Sequence, residues 1–425
     1  MHILVLCNDT RGGVQPYAAL AHGLIAAGHT VSAVAPVGLT HLFGPQVKVT
    51  PLAGTEDALD FATGGGAEKG TGAAMRLMAR ELPRRLAAWC QTVMAAADGV
   101  DVLTGGIGGM AIGLAVAEKL NLPFIPTHLQ PVGHPTSAYP GVLFPGTPEW
   151  TGPFGRWISH YMSDAALWLP FRAAMADVRR KTFGLTGRIR LITGLPALYG
   201  FSRHVVPMAD SPLRHVTGYW HLPAPQGWQP PAALDAFISD ATPVVSVGFG
   251  SMGAASPLPL AQLVATAADA AGVRAVMQAD WQGAPPSPTP TLYAASDIPH
   301  DWLFPRMAAN VHHGGAGTTA AAFAAGRPSV VVPFAVDQPF WGARVQELGV
   351  GPAPIPRRKL DQSSLTRALH QVMADMAMQA SARALANALA TEDGVGRAVT
   401  LFNQYAETHN TGSNWSGRRE SNPRL

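Results

Sequence analysis

Two short stretches of this chain carry residues that could do chemistry together. The first, Val311-His312-His313-Gly314-Gly315-Ala316-Gly317-Thr318-Thr319, reads as a strand, a Gly-rich turn and a helix start. Gly314, Gly315 and Gly317 let a backbone come close to a ligand, and the free N–H groups at the start of a helix through Thr319 attract an anion. Together these make a phosphate seat. Adjacent strand side chains point to opposite faces, so one of His312 and His313 can face the ligand; we assign His313 to it and His312 to the interior. The second stretch, Asp337-Gln338, follows an apolar strand over 329–333 and delivers two polar groups. Asp337 also suits the N-cap of a following helix, and both roles can hold at once.

Such a turn needs strands and helices to hold it, and the chain alternates between them from its first residues. A strand over 3–7 precedes a helix over 16–27 that places Tyr17, Leu20, Leu24 and Ile25 on one face and stops at Gly28. Strand, helix and strand recur over 101–104, 108–120 and 123–127. This alternation implies an α/β fold with parallel strands and right-handed crossovers, a doubly wound sheet whose ligands sit at the carboxyl ends of its strands. The pattern breaks at a Pro-rich stretch over 222–231 and resumes with a strand over 244–247, a helix over 260–271 and a strand over 274–278. A Gly-rich segment over 54–72 reads as a mobile loop.

Composition bounds the function. With 425 residues the chain has room for two or three domains. Charged residues make up 13%, against roughly 25% in a typical soluble domain, so the chain is apolar for its size. No apolar run reaches the roughly 18 residues of a membrane span, which leaves only surface contact with a membrane open. The N-terminus lacks a basic region and reads as a first strand rather than a secretion signal, which points to the cytoplasm. Cys7 and Cys90 have no metal-ligand spacing and read as small buried hydrophobes. The net charge is +3, but the basic residues are scattered apart from short groups at 188–190 and 357–359, which argues against nucleic acid.

His312 to Thr319 with Asp337-Gln338 resemble the donor-sugar signature of family-1 glycosyltransferases, in the bacterial and fungal branch similar to sterol glucosyltransferases. Thr10-Arg11-Gly12-Gly13-Val14-Gln15-Pro16 resembles the N-terminal turn of that branch, and Leu198-Tyr199-Gly200-Phe201-Ser202 with Gly218-Tyr219-Trp220 its segment before the interdomain linker. Pro299-His300-Asp301-Trp302-Leu303-Phe304-Pro305 is similar too. The resemblance implies the GT-B fold, two doubly wound Rossmann-like domains facing a central cleft. It divides the chain into an acceptor-binding domain (1–221), a linker (222–233), a nucleotide-sugar domain (234–395), a helix crossing back to the first domain (396–409) and a polar tail (410–425) expected to be disordered. It also implies a UDP-sugar co-substrate and no cofactor. The chain contains no Asp-x-Asp, so a metal-free reaction is expected. Carried onto this sequence, the resemblance places His313, Gly315, Ala316, Gly317 and Thr318 on the pyrophosphate and Asp337 and Gln338 on the sugar hydroxyls. Ser251 would serve a second phosphate-side loop, Thr10 and Arg11 would join the donor site, and the nucleobase would lie at Ile298 and Trp302, with core packing the alternative for Trp302.

An inverting transfer needs a base beside the acceptor hydroxyl. In the related branch the N-terminal turn reads Arg-Gly-Asp and its Asp is the base; here that position is Gly13. Asp9, earlier on the same loop, and His128, at the carboxyl edge of the sheet, are the candidates, with His134 shortly after; an acidic acceptor would supply its own nucleophile. A long Pro- and Gly-rich loop over 128–155 carries Tyr139, Leu143, Phe144, Trp150 and Phe154, which with Trp157 could form an apolar wall for a lipophilic acceptor such as a sterol, polyketide, flavonoid or lipid. A buried aromatic cluster is the alternative. The expectation is therefore transfer of a hexose, glucose first among them, from UDP-sugar to a lipophilic hydroxyl. The rival is a non-catalytic relative that lost its base at Gly13 and binds a nucleotide sugar or a partner enzyme. An epimerase or phosphorylase has less support. Uridine against thymidine stays open, since a ring methyl contributes only about 1 kcal/mol of discrimination.

Overall fold

The computed structural model describes residues 1–54, 71–192, 194–225, 227–250, 257–281 and 285–410. Ser251, most of the Gly-rich segment and nearly all of the polar tail lie outside the described residues.

Seven strands form the first sheet: β1 (His2–Leu6), β2 (Thr30–Pro36), β3 (Lys48–Leu52), β4 (Val102–Gly105), β5 (Phe124–His128), β6 (Ala197–Tyr199) and β7 (Arg214–Val216). Their order is β3-β2-β1-β4-β5-β6-β7, and the pairings are parallel. The helices α1 (Arg11–Ala26), α2 (Thr71–Ala96), α3 (Ile107–Leu120) and α4 (Gly152–Asp177) cover it on both faces. That is why β1 reads as an unbroken apolar run: Leu4 and Leu6 pack with Leu86, Cys90 and Ile112, while Ile3 and Val5 pack with Val14, Leu20 and Phe402.

The second sheet holds β8 (Val244–Gly248), β9 (Arg274–Gln278), β10 (Leu292–Ala295), β11 (Ala309–His312) and β12 (Ser329–Val331) in the order β10-β9-β8-β11-β12, again with parallel pairings. In each sheet the order reverses at its centre, between β1 and β4 and between β8 and β11, and a crevice opens at such a switch point. The turns after β1 and β11 stand at these two crevices.

The helix α1 starts five residues before its expected beginning at Pro16. Proline inside a helix suggests a boundary, because it has no N–H for the residue four back. Here the first turn forms without that bond, which leaves the Gly12 carbonyl short of its helical partner. The added turn brings positions 9 and 13 side by side.

Helix α5 (Ala232–Ile238) precedes β8, α6 (Pro257–Ala270) joins β8 to β9, α7 (His300–Leu303) follows β10 and α8 (Ala316–Ala324) lies between β11 and β12; after β12 come α9 (Gln338–Glu347), α10 (Gln362–Ala374) and α11 (Met376–Leu389). The last helix, α12 (Gly394–Asn410), packs on the first sheet. An added Cβ at Gly23 of α1 would overlap Val395, so glycine permits this approach; Ala398, Val399 and Phe402 complete the contact, and the His29 ring meets Asn403 Oδ1 at 2.7 Å. Among the described residues, no helix is long and apolar enough to cross a membrane. Phe402→Ala would remove the largest of these anchors. It is expected to cost about 3–5 kcal/mol, measured by chemical denaturation.

Candidate active site

The chain leaves β1 through Asn8, Asp9 and Thr10. The Thr10 N–H donates to Asp9 Oδ1 at 2.6 Å and turns the carboxylate back over the first turn of α1. A Cβ added at Gly13 would overlap the Asp9 carboxylate carbon and Oδ2. The Asp9 carboxylate thus fills the space in which a side chain at position 13 would begin. Asp9 is open to water on its cleft side, yet both domains surround it. Desolvation pushes its pKa up to about 6, Thr10 pulls it down, and the charge of Asp337 raises it again. Water entering the cleft moderates this shift, and a bound apolar acceptor would remove that water.

The other base candidates fare worse. His128 is buried, its ring tilted against Tyr199 at 5.3 Å, and burial lowers its pKa to about 4, which makes it a poor proton acceptor at neutral pH. His134 feels Arg214 and His160, far along the sheet from β1, and burial also lowers its pKa.

Across the cleft, Gly314 turns the chain with φ of 86°, and an added Cβ would press on Val331 and the Gln338 carbonyl. Its N–H donates to His312 Nδ1 at 3.1 Å, so the buried His312 holds the turn, and burial lowers its pKa to about 3. The His313 ring lies between Gly250 and Gly315, where side chains at either position would crowd it. Burial lowers its pKa to about 4, so the ring is neutral at pH 7. Beyond it, α8 starts from Gly315 with no side chain capping it, which leaves the N–H groups of Ala316, Gly317 and Thr318 for an anion. An added Cβ at Gly317 would overlap the Gly12 carbonyl, so the two turns touch.

Val336, a β-branched residue, adopts a left-handed φ of 58° immediately before Asp337, a strain on the order of 1–3 kcal/mol. The conformation aims Asp337 at the first domain, where its Oδ2 accepts from Gln130 Nε2 at 3.1 Å and Trp341 Nε1 at 3.0 Å. Asp337 occupies the N-cap position of α9 but makes no side-chain cap bond. Burial raises its pKa, and the Trp341 and Gln130 hydrogen bonds oppose the rise.

Three of the expected sites have other partners in this structure. Gln338, expected on the sugar, is buried, and its Oε1 accepts from the N–H groups of Phe334 and Ala335 at 2.8 and 3.3 Å; it shapes the loop that presents Asp337. Trp302 is no open platform for a base: Arg306 lies over its ring at 4.5 Å and Trp228 packs against it at 5.2 Å. The apolar wall is divided. Tyr139 is 2% exposed and packs between His160 and Phe340, Phe144 is half-buried, and Trp150 is 87% exposed.

Arg11 pairs with Asp297 at 2.7 Å across the domains. Both side chains are partly exposed, so the pair sets register and adds little stability. His300 stacks on Phe304 at 4.2 Å and senses Arg11 and His313, with its pKa lowered to about 4 chiefly by burial. Ile298 is buried, and its N–H is held by Gln278 Oε1 at 3.0 Å. Gln130 and Asp297 were not singled out by sequence. The one sign of Gln130 is a polar side chain two residues past the end of β5.

Residues 287–395 match the family described as erythromycin biosynthesis protein CIII-like, C-terminal domain. The chain is 32% identical to a sterol 3-beta-glucosyltransferase from Aspergillus fumigatus over 96% of its own length, and 31% identical to one from Arabidopsis thaliana over 95%. It spans 30% of the length of the first and 65% of the second. Among solved structures it resembles glycosyltransferase VinC in complex with dTDP (TM-score 0.67, 18% identity, 96% of this chain and 100% of that one). It also resembles glycosyltransferase SnogD from Streptomyces nogalater (TM-score 0.62, 20% identity, 95% and 99%). The chain has the GT-B fold of these glycosyltransferases.

The uncapped helix start at Ala316 and the neutral His313 ring stand side by side, placed to hold one anion. His313→Ala is expected to weaken UDP binding about 10- to 100-fold, the loss of one hydrogen bond to a charged group, measured by calorimetry.

Proposed function

We propose that this glycosyltransferase moves glucose from UDP-glucose to the hydroxyl of a sterol or similar lipophilic alcohol, with inversion and with Asp9 as general base. The observation that carries this reading is the Asp9 carboxylate, lodged where a side chain at position 13 would begin and facing Asp337 across the cleft. The non-catalytic alternative rested on the loss of that carboxylate; the Asp9 carboxylate beside position 13 supports catalysis over it.

In the proposed reaction the acceptor O–H gives its proton to Asp9 while its oxygen attacks the anomeric carbon. The bond from that carbon to the β-phosphate oxygen breaks as the new C–O bond forms, and UDP leaves with the bonding electrons. The negative charge that develops on the diphosphate meets the N–H groups of Ala316, Gly317 and Thr318 and the His313 ring. Asp337, fixed by Gln130 and Trp341, accepts from the sugar hydroxyls. Near pH 7 a carboxylate with a pKa of about 6 is mostly ionised and ready to take a proton. The sterol relatives support the acceptor class, and the VinC complex with dTDP makes TDP-glucose the competing donor to assay.

Asp9→Asn is expected to lower kcat by about 10²- to 10⁴-fold with UDP binding retained. Protonation of Asp9 removes the base, so kcat/KM should fall tenfold per pH unit below about pH 6, and that limb should vanish in the Asn variant. Gly13→Asp alone crowds Asp9 and sets a second carboxylate beside it, so turnover should drop. The double variant Asp9→Gly/Gly13→Asp should recover part of it. Higher turnover from Gly13→Asp alone would mean that Asp9 is not the base.

A further inference from the structure

The helix α4 is apolar on two faces. Gly155, Ser159, Ser163, Pro170, Phe171 and Ala174 lie buried against the first domain, as the inward side of an amphipathic helix should. The outward side is not polar. Trp150 just ahead of the helix, then Phe154, the adjacent Trp157 and Ile158, Met162 and Leu169 recur at the helical period, and Phe154 and Leu169 are 69% and 67% exposed. Phe154 stacks with Trp157 at 6.0 Å and Trp157 meets Tyr161 at 4.6 Å, so the stripe is continuous. Isolated exposed hydrophobes are ordinary, but an aromatic run from Phe154 to Tyr161 extended by exposed Met162 and Leu169 marks an interaction surface.

Charge identifies the occupant. Residues 149–190, which contain α4 and the segment after it, carry seven Lys and Arg against three Asp and Glu. Their excess of four exceeds the net charge of +3 for the whole chain, so the other 383 residues are together slightly negative. Arg172, Arg180, Lys181, Arg188 and Arg190 are exposed beyond the middle of the stripe, with Ile189, itself 43% exposed, between the last two. Asp177 pairs with Arg180 and Lys181 on the open surface. Arg179 turns inward to Glu118 and is neutralised there. Tryptophan and phenylalanine at headgroup depth beside a row of cations match a bilayer that carries anionic lipid.

We propose that the outward face of α4, with the basic residues after it, docks this protein on the surface of an anionic lipid bilayer. The inward face gives docking a use. Ser159 Oγ accepts from the Gly141 N–H at 2.8 Å, Ser163 Oγ accepts from the Leu143 N–H at 3.1 Å, and the His160 ring meets the Tyr139 carbonyl at 2.9 Å. These bonds fasten α4 to the loop that carries Gln130, the partner of Asp337. A docked helix would therefore hold the cleft close to the lipid surface. Docking through this face does not depend on the proposed transfer reaction.

The test is co-sedimentation of the full chain with vesicles of phosphatidylcholine alone and of phosphatidylcholine with 30% phosphatidylserine, a composition on the order of an anionic leaflet. Binding to the anionic vesicles, weakening with salt, and tryptophan quenching by brominated acyl chains are expected. Ile158→Ser/Met162→Ser/Leu169→Ser should reduce binding by at least about tenfold with an unchanged unfolding midpoint, since these side chains are already exposed. Arg180→Glu/Lys181→Glu/Arg188→Glu should abolish the preference for anionic vesicles. No binding, or equal binding to both vesicles by the wild-type chain, would overturn the proposal. So would a dimer, seen by sedimentation velocity, that the serine variant dissociates. None of these readouts involves sugar transfer, so failure of the proposed reaction would leave the docking result standing.

Discussion

The approach of two backbones, Gly12 to Gly317, is the constraint on which the rest of the site depends. Each residue sits in the first turn of a helix that begins at the switch point of its own sheet, and neither sheet alone holds both Asp9 and the uncapped helix start at Ala316. Pro16 withholds an N–H from the Gly12 carbonyl, and that carbonyl faces the other domain. Glycine at 317 lets the helix start come near enough for Asp9 and Asp337 to sense each other. Larger residues there would part the domains, with Arg11–Asp297 and Gln130–Asp337 the first bonds lost.

Electrostatics in the closed cleft are arranged by burial more than by ion pairs. Two carboxylates face each other and both pKa values are raised, whereas His300, His312 and His313 are held neutral by the same loss of water. With the histidines neutral and Asp9 mostly ionised near pH 7, the attraction for phosphate comes from the dipole of the helix start at Ala316. The strain at Val336 belongs to the same design. It is tolerated because Gln338 ties down the loop from within and Trp341 fixes the carboxylate from behind.

Much of this was legible in the residues. The alternation of strands and helices implied two doubly wound sheets, and His313 with its glycines stood out because small residues at a helix start serve few other purposes. What stayed hidden depended on facing. Asp9 and Gly13 lie four apart, a helical spacing, but Pro16 disguised the turn that makes them neighbours. Gln338 stands beside Asp337 in sequence and points the other way, because its amide found two backbone N–H groups in the loop. The aromatic residues after His128 read as one wall. The helix beginning at Gly152 sends Phe154 outward with Trp150, while Tyr139 turns into the interdomain core.

The central claim is that Asp9 and the start of α8 address the two ends of one reaction. The most direct measurement is a crystal structure with UDP-2-fluoroglucose, a donor that transfers slowly, and a bound alcohol. The diphosphate is expected on the N–H groups of Ala316, Gly317 and Thr318, with the alcohol oxygen hydrogen-bonded to Asp9 and about 3–3.5 Å from the anomeric carbon. A diphosphate bound elsewhere, or an anomeric carbon turned away from Asp9, would contradict it.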